Sequence, residues 1–119
     1  MKKVLVIEDN EVNMYLMSTI IKKLGYIVIE ARDGYTGVDL AIAERPDLIL
    51  MDIQLPIMDG YMATKKIRAI EEMKDIPIIA ITSYAMIGDR EKILTAGCTA
   101  YIEKPIEPKS FIEELKKYL

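Results

Sequence analysis

The stretch Asp47-Leu48-Ile49-Leu50-Met51-Asp52 sets four apolar residues in a row and ends them on an acid. An unbroken apolar run of this length reads as a strand covered on both faces. Such strands pair in parallel sheets, and ligands bind at the carboxyl edge of those sheets. Val4-Leu5-Val6-Ile7 repeats the pattern and ends on Glu8 and Asp9. Working outward, the sequence predicts strands near 3–8, 26–30, 47–52, 77–82 and 99–103, each followed by apolar residues three and four apart. Five such βα units with short connections imply an α/β fold: a parallel sheet, right-handed crossovers and helices on both faces.

The helices have legible ends. Asn10 is the expected N-cap of the first, Val12, Leu16, Ile20 and Leu24 its inward stripe, and Gly25 its stop. The second follows Asp33-Gly34, turns Val38, Ala41 and Ile42 inward and ends before Pro46. The third opens near Gly60 with Ile67 and Ile70 inward, and Pro77 then starts the fourth strand. The fourth helix, about 85–96, is the weakest, because Gly88 and Thr95 dilute its propensity. Pro108 fits the first turn of the last helix, with Phe111, Ile112, Leu115 and Leu119 as its apolar stripe.

Composition narrows the setting. At 119 residues the chain is expected to be one domain, 1–119, able to bury roughly two-thirds of its unfolded surface. The net charge of -3 and the scatter of the lysines as short pairs argue against direct nucleic-acid binding. Cys98 is the lone cysteine, which excludes an internal disulfide and suits a cytoplasmic location. The apolar start imitates a signal peptide, but Glu8 and Asp9 interrupt it, and no apolar run reaches membrane length. With no histidine, Ser/His and Cys/His nucleophiles and imidazole zinc sites are excluded.

Asp9, Asp52, Thr82 and Lys104 each end a predicted strand or begin the loop after it, and parallel strands bring such residues to one side. Two unit charges about 4 Å apart at an effective dielectric near 20 repel by roughly 4 kcal/mol, so clustered acids hold a proton or recruit a cation. Magnesium is the expected metal because it takes hard oxygen ligands and shares its shell with phosphate. Asp9 and Asp52 would bind it directly and Glu8 through water. Lys104 would pair with Asp52 and with an anion, to which Thr82 would donate its hydroxyl hydrogen bond. A carboxylate beside a metal and a lysine is also a nucleophile toward phosphorus, and Asp52 is the expected one.

These residues carry a resemblance. Glu8-Asp9-Asn10, Met51-Asp52-Ile53-Gln54-Leu55-Pro56-Ile57-Met58-Asp59-Gly60, Ile81-Thr82-Ser83 and Lys104-Pro105-Ile106, in this order, resemble the receiver domain of two-component signalling along essentially the whole chain. The resemblance implies the flavodoxin-like strand order 2-1-3-4-5. It implies that Asp52 accepts a phosphoryl group from a phosphohistidine of a histidine kinase or histidine phosphotransfer protein. Magnesium would be held by Asp9, Asp52 and the Gln54 backbone carbonyl. Ser83 would offer its backbone N–H to the phosphate, and the Lys104-Pro105 peptide would be cis.

Switching, by the same resemblance, follows when Thr82 moves to the phosphate and Tyr101 turns inward. The fourth helix, fifth strand and fifth helix would then act as the output face toward a protein target, as a monomer or a phosphorylation-dependent dimer. Tyr84 and Gln54, each two residues beyond Thr82 and Asp52, flank the route of an attacking water, and Tyr84 is expected to slow self-hydrolysis. No DNA-binding or enzymatic output segment is present, so the chain works alone or belongs to a larger protein. Two readings compete. A haloacid dehalogenase-type hydrolase would need a second Asp where Gln54 stands. A phosphorylation-independent interaction domain would be marked by a lost acid, threonine or lysine, and none is lost.

Overall fold

The alternation of apolar residues along the strands builds two cores on one sheet. The computed structural model describes residues 1–83 and 87–119. Its elements run β1 (Lys3–Ile7), α1 (Glu11–Lys23), β2 (Ile27–Ala31), α2 (Gly34–Glu44), β3 (Leu48–Asp52), α3 (Gly60–Arg68), a 3-10 turn (Glu71–Met73), β4 (Ile78–Thr82), α4 (Ile87–Ala96), β5 (Ala100–Glu103) and α5 (Pro108–Tyr118). The five strands are parallel in the order β2-β1-β3-β4-β5, the flavodoxin-like arrangement. Leu5, Ile7, Ile49, Met51, Ile78 and Ala80 point to the side covered by α2, α3 and α4. Val4, Val6, Leu48, Leu50, Ile79 and Ile81 point to the side of α1 and α5, where Phe111 and Leu115 close the core. β3 and β4 are buried along their whole length, as strands covered on both faces must be.

Side-chain caps place the helix starts. Asn10, Asp33 and Asp59 accept hydrogen bonds from the backbone N–H groups of Asn13, Thr36 and Met62 at 2.9, 2.7 and 2.9 Å. Each cap satisfies one donor that the first helical turn leaves without a partner. Glu107 does the same for Lys109 and Ser110, with Pro108 in the first turn of α5.

Two helices bury faces other than those expected. On α1, Val12 is exposed, Leu16, Ile20 and Leu24 are half-buried flanks, and Met14, Met17, Ser18 and Ile21 form the inner face. A row of strict four-residue steps drifts by about 40° per step on a 3.6-residue helix, so it slides off one face. The steps 14, 17, 18, 21 stay on it. On α2, Ile42 is exposed, while Gly34, Gly37 and Ala41 are buried, Gly34 against Met58 and Gly37 against Ile7 of β1. A Cβ on Gly37 would sit 2.5 Å from Ile7 Cδ1, so small residues there let α2 pack directly on β1. α3 ends before Ile70, which is half-buried at the start of the 3-10 turn. On α5, Phe111 and Leu115 are buried and Ile112 is half-buried. Of the fourth helix's expected span, residues 85 and 86 lie outside the described residues. Among the described residues no helix is long and apolar enough to cross a membrane.

Gly60 fixes the loop after β3. Its N–H donates to the Ile53 carbonyl at 2.9 Å, and a Cβ there would lie 2.5 Å from the Asp52 carbonyl oxygen and 2.6 Å from Ile53 Cα. Backbone cannot yield as a flexible side chain can. Gly60→Ala is expected to lower stability by roughly 1–3 kcal/mol. Urea unfolding should show a lower midpoint at unchanged slope.

Candidate functional site

Strand register brings the chemistry-bearing residues to one edge. Ile7 pairs with Met51, so Glu8 and Asp52 continue their strands side by side. Asp52 pairs with Ile81 and Thr82 with Glu103, so Thr82 and Lys104 each stand one step further along that edge. Two backbone bonds hold these ends in place: Glu8 N–H donates to the Ala31 carbonyl at 2.9 Å and Lys104 N–H to the Thr82 carbonyl at 2.8 Å. The Lys104-Pro105 peptide is cis, as the resemblance implied.

Lys104 Nζ lies 3.2 Å from Asp52 Oδ1 and 3.5 Å from Glu8 Oε1. Asp52 is buried, and its Oδ1 also accepts the Gln54 backbone N–H at 3.0 Å. Glu8 is fully buried. Its Oε2 accepts the Asn10 N–H at 3.2 Å, while Oε1 has no hydrogen-bond partner among the described residues and lies 3.5 Å from Lys104 Nζ. Asp9 is exposed at the rim, and carboxylate oxygens of Glu8, Asp9 and Asp52 lie within 4.8 Å of one another.

Three carboxylates therefore face one ammonium. Burial above all, and then the neighbouring Asp52 carboxylate, push the Glu8 carboxyl up to about 8, against the pull of the Asn10 N–H and Lys104. This is the electrostatic condition under which a cluster of acids holds a proton or takes a cation. The hard oxygen donors and the orphaned Glu8 oxygen suit a divalent cation of the magnesium or calcium class.

The described residues named from sequence as site candidates stand at this edge or beside it, except Tyr101, which lies level with Ala80 inside the sheet. Asp9, Asp52, Thr82 and Lys104 meet there, and Ser83 follows Thr82 exposed. Tyr101 is half-buried on β5, with the Arg90 guanidinium 5.5 Å from its ring centroid. Tyr84 lies outside the described residues. One feature was foreseen in part and one escaped sequence reasoning. Glu8 was expected at the end of the first strand, reaching the metal through water; the structure adds that it is fully buried beside Asp52. Ile57, in the loop after Asp52, adopts φ +67 and is 92% exposed. A β-branched residue in that region is a true outlier, at a cost on the order of 1–3 kcal/mol.

The family model for the response regulator receiver domain matches residues 4–116. The polar-differentiation response regulator DivK of Brucella anthropi is 50% identical over 118 residues, 99% of this chain and 96% of that relative. Among solved structures, the receiver domain of the sensor histidine kinase PA1611 from Pseudomonas aeruginosa, with magnesium in its active-site cleft, is 41% identical. It has a TM-score of 0.91, over 98% of this chain and 96% of that one. The Saccharomyces cerevisiae co-crystal of the histidine phosphotransfer protein Ypd1 with the receiver domain of Ssk1 matches at 27% identity and TM-score 0.92, over 98% of this chain and 88% of that one. The chain belongs to the response regulator receiver domains, the phosphoacceptor modules of two-component signalling.

The Glu8 shift has a sign that can be tested. A carboxyl whose folded pKa lies above its ordinary value of 4.5 binds more protons folded than unfolded, so stability falls as pH rises from about 4.5 to about 8. In metal-free buffer the wild-type melting temperature should decline across that window. Glu8→Gln should flatten the decline and be the more stable form at its alkaline end, as scanning calorimetry would show.

Proposed function

We propose that this receiver domain takes a phosphoryl group onto Asp52 from a phosphohistidine of a histidine kinase or histidine phosphotransfer protein. The observation that carries the reading is a buried Asp52 carboxylate 3.2 Å from Lys104 Nζ within a cluster of three acids. In the transfer an Asp52 oxygen forms the new bond to phosphorus, the nitrogen–phosphorus bond breaks, and its electron pair stays on the donor imidazole. The sequence contains no histidine, which supports a donor supplied from outside this domain.

Asp9, Asp52 and the Gln54 backbone carbonyl would hold magnesium, with Glu8 acting through water. When bound, the metal supplies positive charge against the oxygens of the transferred group. Lys104 offsets the same charge from the other side, and the Thr82 hydroxyl and Ser83 N–H donate to the phosphate. The new group brings about -1.5 to -2 charges. Movement of Thr82 toward it, followed by Tyr101 turning inward, would change the face made by α4, β5 and α5. That face would regulate a downstream protein, as a monomer or as a dimer formed on phosphorylation. Half-burial of Tyr101 beside Arg90 leaves its ring between two environments, which supports this role. The chain's own chemistry is self-phosphotransfer and autodephosphorylation, carried by the single domain 1–119 in the cytoplasm.

The experiment is intact-protein mass after incubation with magnesium and acetyl phosphate. Wild type should gain one phosphoryl group. Asp52→Asn should gain none, nor should wild type with the metal chelated. No gain by the folded wild-type chain would turn the assignment to a phosphorylation-independent interaction domain.

A further inference from the structure

We infer that Ile57 is a specificity-determining contact for the phosphodonor, an apolar anchor on the rim of the Asp52 site that seats against an apolar patch around the partner's phosphohistidine. The inference rests on the phosphotransfer reading above and adds to it the residue that selects the protein donor.

Ile57 is placed where its side chain does nothing for the fold. It is 92% exposed, outside both cores, and its backbone sits at φ +67, a region in which glycine or asparagine is comfortable and a β-branched residue is not. A residue that neither packs nor suits its own backbone is best explained by something outside the chain. Strain of this kind concentrates at functional sites.

The position of the loop says what the occupant is. Asp52 is buried at the carboxyl edge, so a donor imidazole must come within bonding reach of it over the loops that leave that edge. Ile57 lies in the loop that leaves Asp52 itself, and that loop is held against two neighbours. Gly60 packs on the Asp52 and Ile53 backbone, and a Cβ on Gly34 would meet the Met58 carbonyl at 2.8 Å. Tyr35 and Met62, each close in sequence to those contacts, are also exposed, so the start of α2, the loop and the start of α3 all offer apolar surface. On this side of the site, across from the exposed Asp9, the rim thus offers apolar surface beside a charged floor. The fitting partner carries its phosphohistidine among apolar side chains, which bury Ile57 on docking and desolvate the transfer. The solved complex of Ypd1 with the Ssk1 receiver domain is a case in which a related receiver domain docks on a histidine phosphotransfer protein.

The test separates the small donor from the protein donor. The histidine kinases of the source organism are autophosphorylated and screened against wild type, and the fastest donor is then used with Ile57→Asn and Ile57→Leu. Ile57→Asn relieves the backbone and removes the apolar surface; Ile57→Leu keeps the surface. Labelling by acetyl phosphate should stay within about twofold of wild type in both. Transfer from the kinase should fall about tenfold or more in kcat/KM for Ile57→Asn, through KM, and stay within about threefold for Ile57→Leu. Unchanged kinase transfer in Ile57→Asn with normal acetyl phosphate labelling would overturn this inference alone. Failure of wild type to label with acetyl phosphate would overturn the phosphotransfer reading and this one with it, as would the absence of any donor in the screen. A wild-type dimer that Ile57→Asn dissociates would assign the residue to a second copy and overturn the donor contact.

Discussion

The contact between Lys104 Nζ and the buried Asp52 carboxylate is the constraint on which the molecule is organised. An ionised carboxylate inside a protein costs several kcal/mol unless it is paired and hydrogen-bonded. Here the pairing comes from a residue half the chain away, and only a sheet in this order and register delivers it. β3 supplies the acid, β1 the second acid beside it, and β5 the lysine across β4. The cis peptide after Lys104, the glycine that draws α3 onto the Asp52 backbone and the Asn10 cap all sit within a few residues of that charge balance. The balance is incomplete, since among the described residues one ammonium faces three carboxylates and an oxygen of Glu8 is left without a hydrogen bond. The site is built to be completed by something that arrives.

How much of this was legible depended on how local the signal was. The strands could be read because each is a short run of apolar residues buried on both faces, and their ends carried the chemistry with them. Asp9, Asp52, Thr82 and Lys104 could be grouped before any coordinates because parallel strands all emerge on one side. The helix faces were less accessible. Val12 and Met14 are both apolar, and only contact with the sheet shows that Met14 lies inside and Val12 outside. Ile42 misled for a related reason, since the closest approach of α2 is made by Gly34 and Gly37, which have no side chain to mark it. The left-handed backbone of Ile57 had no signal, because turn chemistry is read from glycine and asparagine and neither is there.

Glu8 joins the fold to the electrostatics. It continues β1 by one residue and donates its N–H to β2 as a strand residue would, yet its side chain belongs to the site. The first acid of the pair is thus a wall of the pocket and the second, Asp9, its exposed rim. Adjacent residues of the same chemical class have different physics because Glu8 still continues the covered strand while Asp9 begins the exposed loop, although both carboxylates reach the same cluster.

The sheet also acts as a partition. α4 contributes Ile93 to one core, and α5 contributes Phe111 and Leu115 to the other, with β5 as the edge strand between them. A surface composed of α4, β5 and α5 therefore rests on two packing systems that share no buried side chains and that, at this surface, are joined by a four-residue edge strand. Such a boundary is a natural line of slip. A partner that grips both helices senses their relative position, which neither core determines by itself, and a small change at the strand end can be read as a change in the spacing of the two.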